Sequence, residues 1–251
     1  MGDVILETRG LTKHYGGVQA LTDADFVLRE GEHVAIMGDN GAGKSTFVRQ
    51  ITGVEHPTRG EIVFAGRSVT FANPIEAREA GIEAVFQTLA LADDLDVPSN
   101  LFLGREKVRF RLGPFSILDK RAMREATRAA LEKTGVKIPN LSNTIRNMSG
   151  GQRQCVAIAR TAAFRSKLVI MDEPTAALGV QETAQVEEII RTLKAAGEPL
   201  ILISHNMRQV FDLVDRIVVF RRGSIVANLR KDETDSQDVV AYITGAKTQT
   251  D

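Results

Sequence analysis

The chain has 251 residues, with Lys+Arg and Asp+Glu balanced at 32 each, so it lacks the basic excess of a dedicated nucleic-acid binder. Its 43% hydrophobic and 25% charged residues suit a globular protein with a real core, and the single cysteine, Cys155, excludes an internal disulfide. No apolar run approaches the roughly 18 residues of a membrane span, and MGDVILETRG carries no secretory signal, so any membrane role is expected to come through a partner.

In chain order, VILETRGLTKHY and VQALTDADFVLREGE read as strands, with turn signals at Gly16-Gly17 and Glu30-Gly31. HVAIMG is a short apolar strand, followed by a glycine-rich loop and a helix, STFVRQITG, that stops at Gly53. EIVFAGRSVTF reads as a hairpin around Gly66, and EAVFQ as the end of a buried strand. From 88 to 150 strand signals are few and LDKRAMREATRAALEKTGV is a clear amphipathic helix, which predicts a helical lobe inserted into an α/β core made of 1–87 and 151–251. Within it, REKVRFRLGPF alternates basic and apolar residues; it reads as a solvated loop or edge, or else as a partner or headgroup contact. Cys155 is expected as a small buried apolar residue on the helix that opens at MSGGQ. Then come KLVIMDEP (strand), VQETAQVEEIIRTLKAAG (helix), PLILISH (strand), a hairpin around Gly223, and a tail with a short helix and a frayed end. Strands alternating with helices predict a mostly parallel sheet covered by helices.

Gly38-Asp39-Asn40-Gly41-Ala42-Gly43-Lys44-Ser45 fits G-x-x-x-x-G-K-[ST] between a predicted strand and a predicted helix, the context a phosphate loop requires. Glycines let backbone N–H groups turn inward around phosphate oxygens, and the helix start adds a favourable dipole. Lys44 is expected to reach the β- and γ-phosphates and the Ser45 hydroxyl to bind Mg2+. Asp172 emerges from the apolar run LVIM at a strand end, where ligands bind in open α/β sheets; it is the expected Mg2+ partner, and Glu173 beside it could polarise the attacking water. Gln87 and His205 close two further apolar strands and are expected at a phosphate or water.

A phosphate loop alone allows a small-molecule kinase, a GTPase or a DNA motor. No N-K-x-D guanine reader is present, and MSGGQ is foreign to all three. It is a second anion-binding helix start: Ser149 offers a hydroxyl, and Gly150 and Gly151 offer amides. One nucleotide hardly needs two cradles from one chain. A head-to-tail dimer, each MSGGQ closing over the γ-phosphate of the other copy, uses both.

With Tyr15 in KHYGG, GDNGAGKST, Gln87 in VFQ, MSGGQRQ, LVIMDEP and His205 in ISH, the chain resembles the ABC-transporter ATPases over nearly its whole length. The resemblance implies a P-loop NTPase core with an N-terminal antiparallel β part and an inserted α-helical part, ATP and Mg2+ as cofactors, and ATP hydrolysis coupled to transport. It implies that Tyr15 stacks on adenine (the lesser reading of Tyr15 alone is a strand-packing aromatic), that Gly38, Asn40 and Gly41 to Thr46 (Gly41, Ala42, Gly43, Lys44, Ser45, Thr46) hold the phosphates, and that Ser45, Gln87 and Asp172 arrange Mg2+. Glu173 would be the general base, His205 would contact the γ-phosphate, and Ser149, Gly151 and Gln152 would act in trans.

GDNGAGKST, VFQTLALADDLDVPSNLFLGRE and MDEPTAALGVQE look most like importers of monosaccharides of the ribose, xylose and fructose kind. This implies a homodimer on integral-membrane permease subunits, served indirectly by a solute-binding protein, peripheral at the cytoplasmic face of the inner membrane, with no nucleic-acid partner. A soluble or exporter-type ABC ATPase is the alternative. TLALADDLDVPSNLF reads as the lining of a permease groove or as ordinary lobe packing. Two departures stand out: such importer ATPases usually carry two fused cassettes while this chain holds one, and Gly179 stands where an Asp is usual.

Overall fold

The computed structural model describes residues 2–112, 115–164 and 166–248. Two long strands, β1 (Val4–Tyr15) and β2 (Val18–Arg29), pair antiparallel across Gly16-Gly17. β1 also pairs with β4 (Arg59–Phe64), which forms a hairpin with β5 (Arg67–Val69), giving a four-stranded antiparallel sheet in the order β2-β1-β4-β5.

β3 (His33–Met37) leads into α1 (Lys44–Ile51). After the hairpin come α2 (Pro74–Ala80) and β6 (Ile82–Val85). α2 was not legible from periodicity, although Asn73 caps it by accepting from Ile75 and Glu76 N–H and Pro74 opens it, a common helix start. β6 ends at Val85, so Gln87 lies two residues past the strand rather than closing it.

Next are α3 (Val97–Leu101), β7 (Val108–Leu112), β8 (Phe115–Leu118), α4 (Lys120–Lys133) and α5 (Gly150–Ala162). Of the stretch expected as a solvated loop or edge, REKVRFRL contributes the first strand of an antiparallel hairpin, β7–β8; residues 113 and 114 lie outside the described ones. The chain closes with β9 (Leu168–Asp172), α6 (Val180–Ala195), β10 (Leu200–Ile203), α7 (Met207–Leu213), β11 (Arg216–Arg221), β12 (Ser224–Arg230) and α8 (Ser236–Thr244). Residues 249–251, at the end expected to fray, lie outside the described ones.

The second sheet has the order β12-β11-β3-β10-β9-β6. β11, β3, β10 and β9 run parallel, and β12 is an antiparallel edge. Every residue of β3 and β10 is buried, as continuous apolar strands covered on both faces should be. Phe47 of α1 meets Phe26 and Phe220 at ring-centroid distances of 5.3 Å, which seats the start of the helix on this core.

The chain divides into two compact units: one of residues 1–84, 166–173 and 194–251, the other of 85–165 and 174–193. The second unit is wider than the lobe expected over 88–150, because α5 supplies part of its core. Val156 of α5 packs with Val97, Leu101, Phe102, Met123 and Ile145. Cys155 is buried on α5, and burial pushes its thiol up to about 11.

Candidate nucleotide site

In the first unit, residues 38–45 turn between β3 and α1. Gly38 has φ 148°, and a β-carbon there would stand 2.2 Å from the Phe220 carbonyl oxygen; only glycine passes. Gly43, with φ 103°, caps α1 without any side-chain hydrogen bond, so the first turn keeps unpaired N–H groups and its positive dipole end. Lys44 folds back over the loop and donates from Nζ to the Gly38 (2.6 Å) and Asp39 (2.9 Å) carbonyls. Burial lowers the pKa of its ammonium, while Glu173, Asp172 and Asp39 act in the opposite direction.

Parallel pairing of β10 with β9 sets Ile203 opposite Asp172. That register carries the two strand ends past each other side by side. Burial raises the pKa of the Asp172 carboxyl, and the Glu173 charge raises it further; Lys44 and Arg49 oppose both. Glu173 adopts φ 50°, a left-handed conformation that costs a non-glycine residue about 1–3 kcal/mol. Its N–H donates to the Ile203 carbonyl (2.9 Å), and its Oε2 lies 2.8 Å from His205 Nδ1. The Glu173 side chain is 18% exposed and that of His205 79%. A carboxylate so held, with its histidine partner open to solvent, can take a proton from a water at the sheet edge.

Tyr15 ends β1 with its ring partly exposed, its hydroxyl donating to the Glu55 carboxylate and its ring 5.4 Å from Lys13 Nζ. Burial is the main cause raising its pKa, followed by Glu55, with Thr46 of α1 acting against them. The fold thus brings Tyr15 to the same helix that begins at Lys44. Asn40, Gly41 and Ser45 are exposed, and Ala42 is buried. Glu55 and Arg49, joined at 3.3 Å, were not legible as part of this neighbourhood: neither belongs to a motif, and only the fold brings Arg49 near Asp172.

Gln87, exposed, and the MSGGQ segment belong to the second unit. Ser149 caps α5 in a reciprocal box: its hydroxyl accepts from Gln152 N–H (3.2 Å), and Gln152 Oε1 accepts from Ser149 N–H (3.0 Å). The hydroxyl hydrogen of Ser149 remains for another acceptor. Gly150 is open, with nothing nearer than Leu178 at 4.0 Å from a built β-carbon, and it suits close approach of an anion. Gly151 is buried, and a β-carbon there would stand 2.1 Å from Glu182 Cγ, so its lack of a side chain also serves packing inside the unit. Gly179 has the same neighbour: a β-carbon on it would lie 2.6 Å from Glu182 Oε2. The glycine in place of the usual Asp makes room for Glu182.

Comparison with known proteins agrees with this geometry. The ABC transporter family profile matches residues 21–176. A fructose import ATP-binding protein from Rhizobium meliloti is 48% identical over 97% of this chain and 95% of its own length. A xylose/arabinose import ATP-binding protein from Sulfolobus acidocaldarius is 42% identical over 96% and 94%. Both are matched nearly end to end, so a single cassette of this size is not peculiar to this chain. The ADP conformation of an ATP-binding cassette of an ABC transporter superposes with a TM-score of 0.81 at 25% identity, covering 98% of this chain and 97% of that one.

Proposed function

The chain belongs to the ABC transporter family, as one of its nucleotide-binding, ATP-hydrolysing cassettes, and on that premise we propose that it is the motor subunit of a monosaccharide importer. It works as a head-to-tail homodimer with two composite ATP sites, docked on membrane permease subunits and served through them by a solute-binding protein. The sugar assignment rests on its 48% identity to the fructose import protein and 42% identity to the xylose/arabinose import protein. Among the described residues no helix is long and apolar enough to cross a membrane. On the importer reading, which rests on the relatives, the permease supplies the span and the cassette sits peripherally at the cytoplasmic face.

The observation that carries the hydrolytic reading is the Glu173–His205 contact beside the half-buried Asp172 and Lys44. The triphosphate lies over residues 38–46, where Lys44 exchanges the Gly38 and Asp39 carbonyls for phosphate oxygens. The Tyr15 ring stacks on adenine. Ser45 and Asp172 fit Mg2+: they offer a hydroxyl and one carboxylate, oxygen ligands of the kind a hard cation takes alongside phosphates and water. The resemblance assigns Gln87 to the same ion. Mg2+, when bound, neutralises charge on the β- and γ-phosphates. Glu173 accepts the proton of the attacking water, and His205 orients that carboxylate and reaches the γ-phosphate. From the other copy, Ser149 donates its hydroxyl hydrogen, and the amides at Gly150 and Gly151 their N–H groups, to the γ-phosphate, while Gln152 holds Ser149 in place.

Reconstitution with the cognate permease tests the transport reading: a binding protein loaded with fructose, xylose, arabinose or ribose should stimulate ATP hydrolysis. Absence of stimulation by all four would defeat sugar import and leave the ATPase reading standing. A nucleotide-loaded structure with Ser149 facing solvent, far from any triphosphate, would defeat the head-to-tail dimer.

A further inference from the structure

The β7–β8 hairpin takes no part in the chemistry above. Among the described residues its strands pair only with each other, and a two-stranded hairpin standing alone is marginally stable in water. Phe110 sits opposite Ile117 and Leu112 opposite Phe115, so Phe110, Phe115 and Ile117 share one face by the two-residue period of a strand. That face is bare: Phe110 is 56% exposed, Phe115 74% and Ile117 63%. Single exposed apolar residues need no explanation, whereas three large ones side by side mark a contact surface.

Charge identifies what it contacts. Along residues 105–121 the sequence sets Arg105, Lys107, Arg109, Arg111, Lys120 and Arg121 against only Glu106 and Asp119, in a chain whose charges balance over its whole length. Both acids are occupied: Glu106 accepts from Gly104 N–H, and Asp119 caps α4 by accepting from Ala122 N–H. Arg105 stacks 3.6 Å from the Phe164 ring centroid, and Arg121 pairs with Glu125. Among the described residues no ion pair engages Lys107, Arg109 or Lys120. Aromatic and aliphatic side chains among long cationic ones suit the boundary between acyl chains and acidic headgroups, where the rings settle and the cations reach the phosphates.

We propose that the β7–β8 hairpin is a lipid-contact element that holds the cassette against bilayers containing anionic phospholipid. The proposal rests on the transporter reading only in placing a bilayer nearby. The contact is with lipid and requires no permease.

Co-sedimentation of the full chain with protein-free vesicles tests it. Binding to phosphatidylcholine vesicles containing phosphatidylglycerol should exceed binding to pure phosphatidylcholine by about tenfold at low salt and fade as salt rises. The triple variant F110S/F115S/I117S should lose binding, and R109Q/K120Q, which leaves the apolar face intact, should weaken it about tenfold. Both variants should keep the ATPase rate of the parent, and R109Q/K120Q decides the matter if the triple variant does not fold. Equal binding to the two vesicle types, no binding to either, undiminished binding of both variants, or association only when permease is in the membrane would each overturn the proposal. Sugar-stimulated ATPase activity in a chain that ignores vesicles would sink the lipid contact alone.

Discussion

Glu173 Oε2 lies 2.8 Å from His205 Nδ1, across the ends of two parallel strands whose register sets Asp172 opposite Ile203. The proposed mechanism gives Glu173 the proton-accepting role and has His205 hold its carboxylate. Glu173→Gln keeps the shape and removes the base. ATPase turnover should fall by about 10²–10⁴, while ATP binding persists and the ATP-bound dimer accumulates on size exclusion. Parent-like turnover in a monomeric variant would exclude Glu173 as the base.

Ser149→Ala removes both the cap of α5 and the hydroxyl proposed to reach the other copy's nucleotide. The cap alone is worth about 1 kcal/mol, read as a small drop in denaturant midpoint. ATP-dependent dimerisation should fail as well. A variant that is slightly less stable and still dimerises with ATP would reduce Ser149 to a cap.

His33 is fully buried at the start of β3, with Nε2 3.0 Å from the Glu198 carbonyl oxygen. Burial, the leading cause, lowers its pKa from 6.5 to about 4. Between those values the unfolded chain binds the proton and the folded one does not. Stability is therefore intact above pH 6.5 and drains away as pH falls towards 4, by about 3 kcal/mol. Urea unfolding at pH 7 and pH 4.5 measures the slope, and His33→Gln should flatten it. An identical acid slope in that variant would place the cause elsewhere.

Gly179→Asp restores the residue usual at this position and drives a side chain into Glu182, whose Oε2 already lies 2.6 Å from a β-carbon built there. Gly179 is exposed and Oε2 is the free end of the Glu182 side chain, which can swing aside, so the cost comes from repulsion between two neighbouring carboxylates, about 0.2–0.5 kcal/mol. Thermal unfolding should fall for Gly179→Asp and recover in the double variant with Glu182→Ala. No recovery would mean that Glu182 is not what requires the glycine.

The amino-acid sequence by itself determined the strand–loop–helix cradle at 38–45, the apolar strands that end near Asp172 and His205, and the second helix start at Ser149. Each is a local pattern of glycine, apolar run and cap, and local patterns survive without knowledge of distant contacts. Short helices escaped it: α2, α3 and α7 span five to seven residues, too few for a period to show, and only their caps Asn73, Asp96 and Asn206 announce them. The β7–β8 hairpin escaped as well, because basic residues interleaved with apolar ones suit a loop as readily as an exposed strand. What no local pattern could fix was which side chains meet. The pairing of Glu173 with His205 follows from parallel register between β9 and β10, the place of Arg49 near Asp172 from how α1 seats on the sheet, and the glycines at 151 and 179 from one glutamate, Glu182, threaded past both. Except for Gly179, close to Glu182 in the sequence, these contacts join residues far apart in the chain. Strand register and the seating of one element on another decide them, and neither exists until the whole chain has folded.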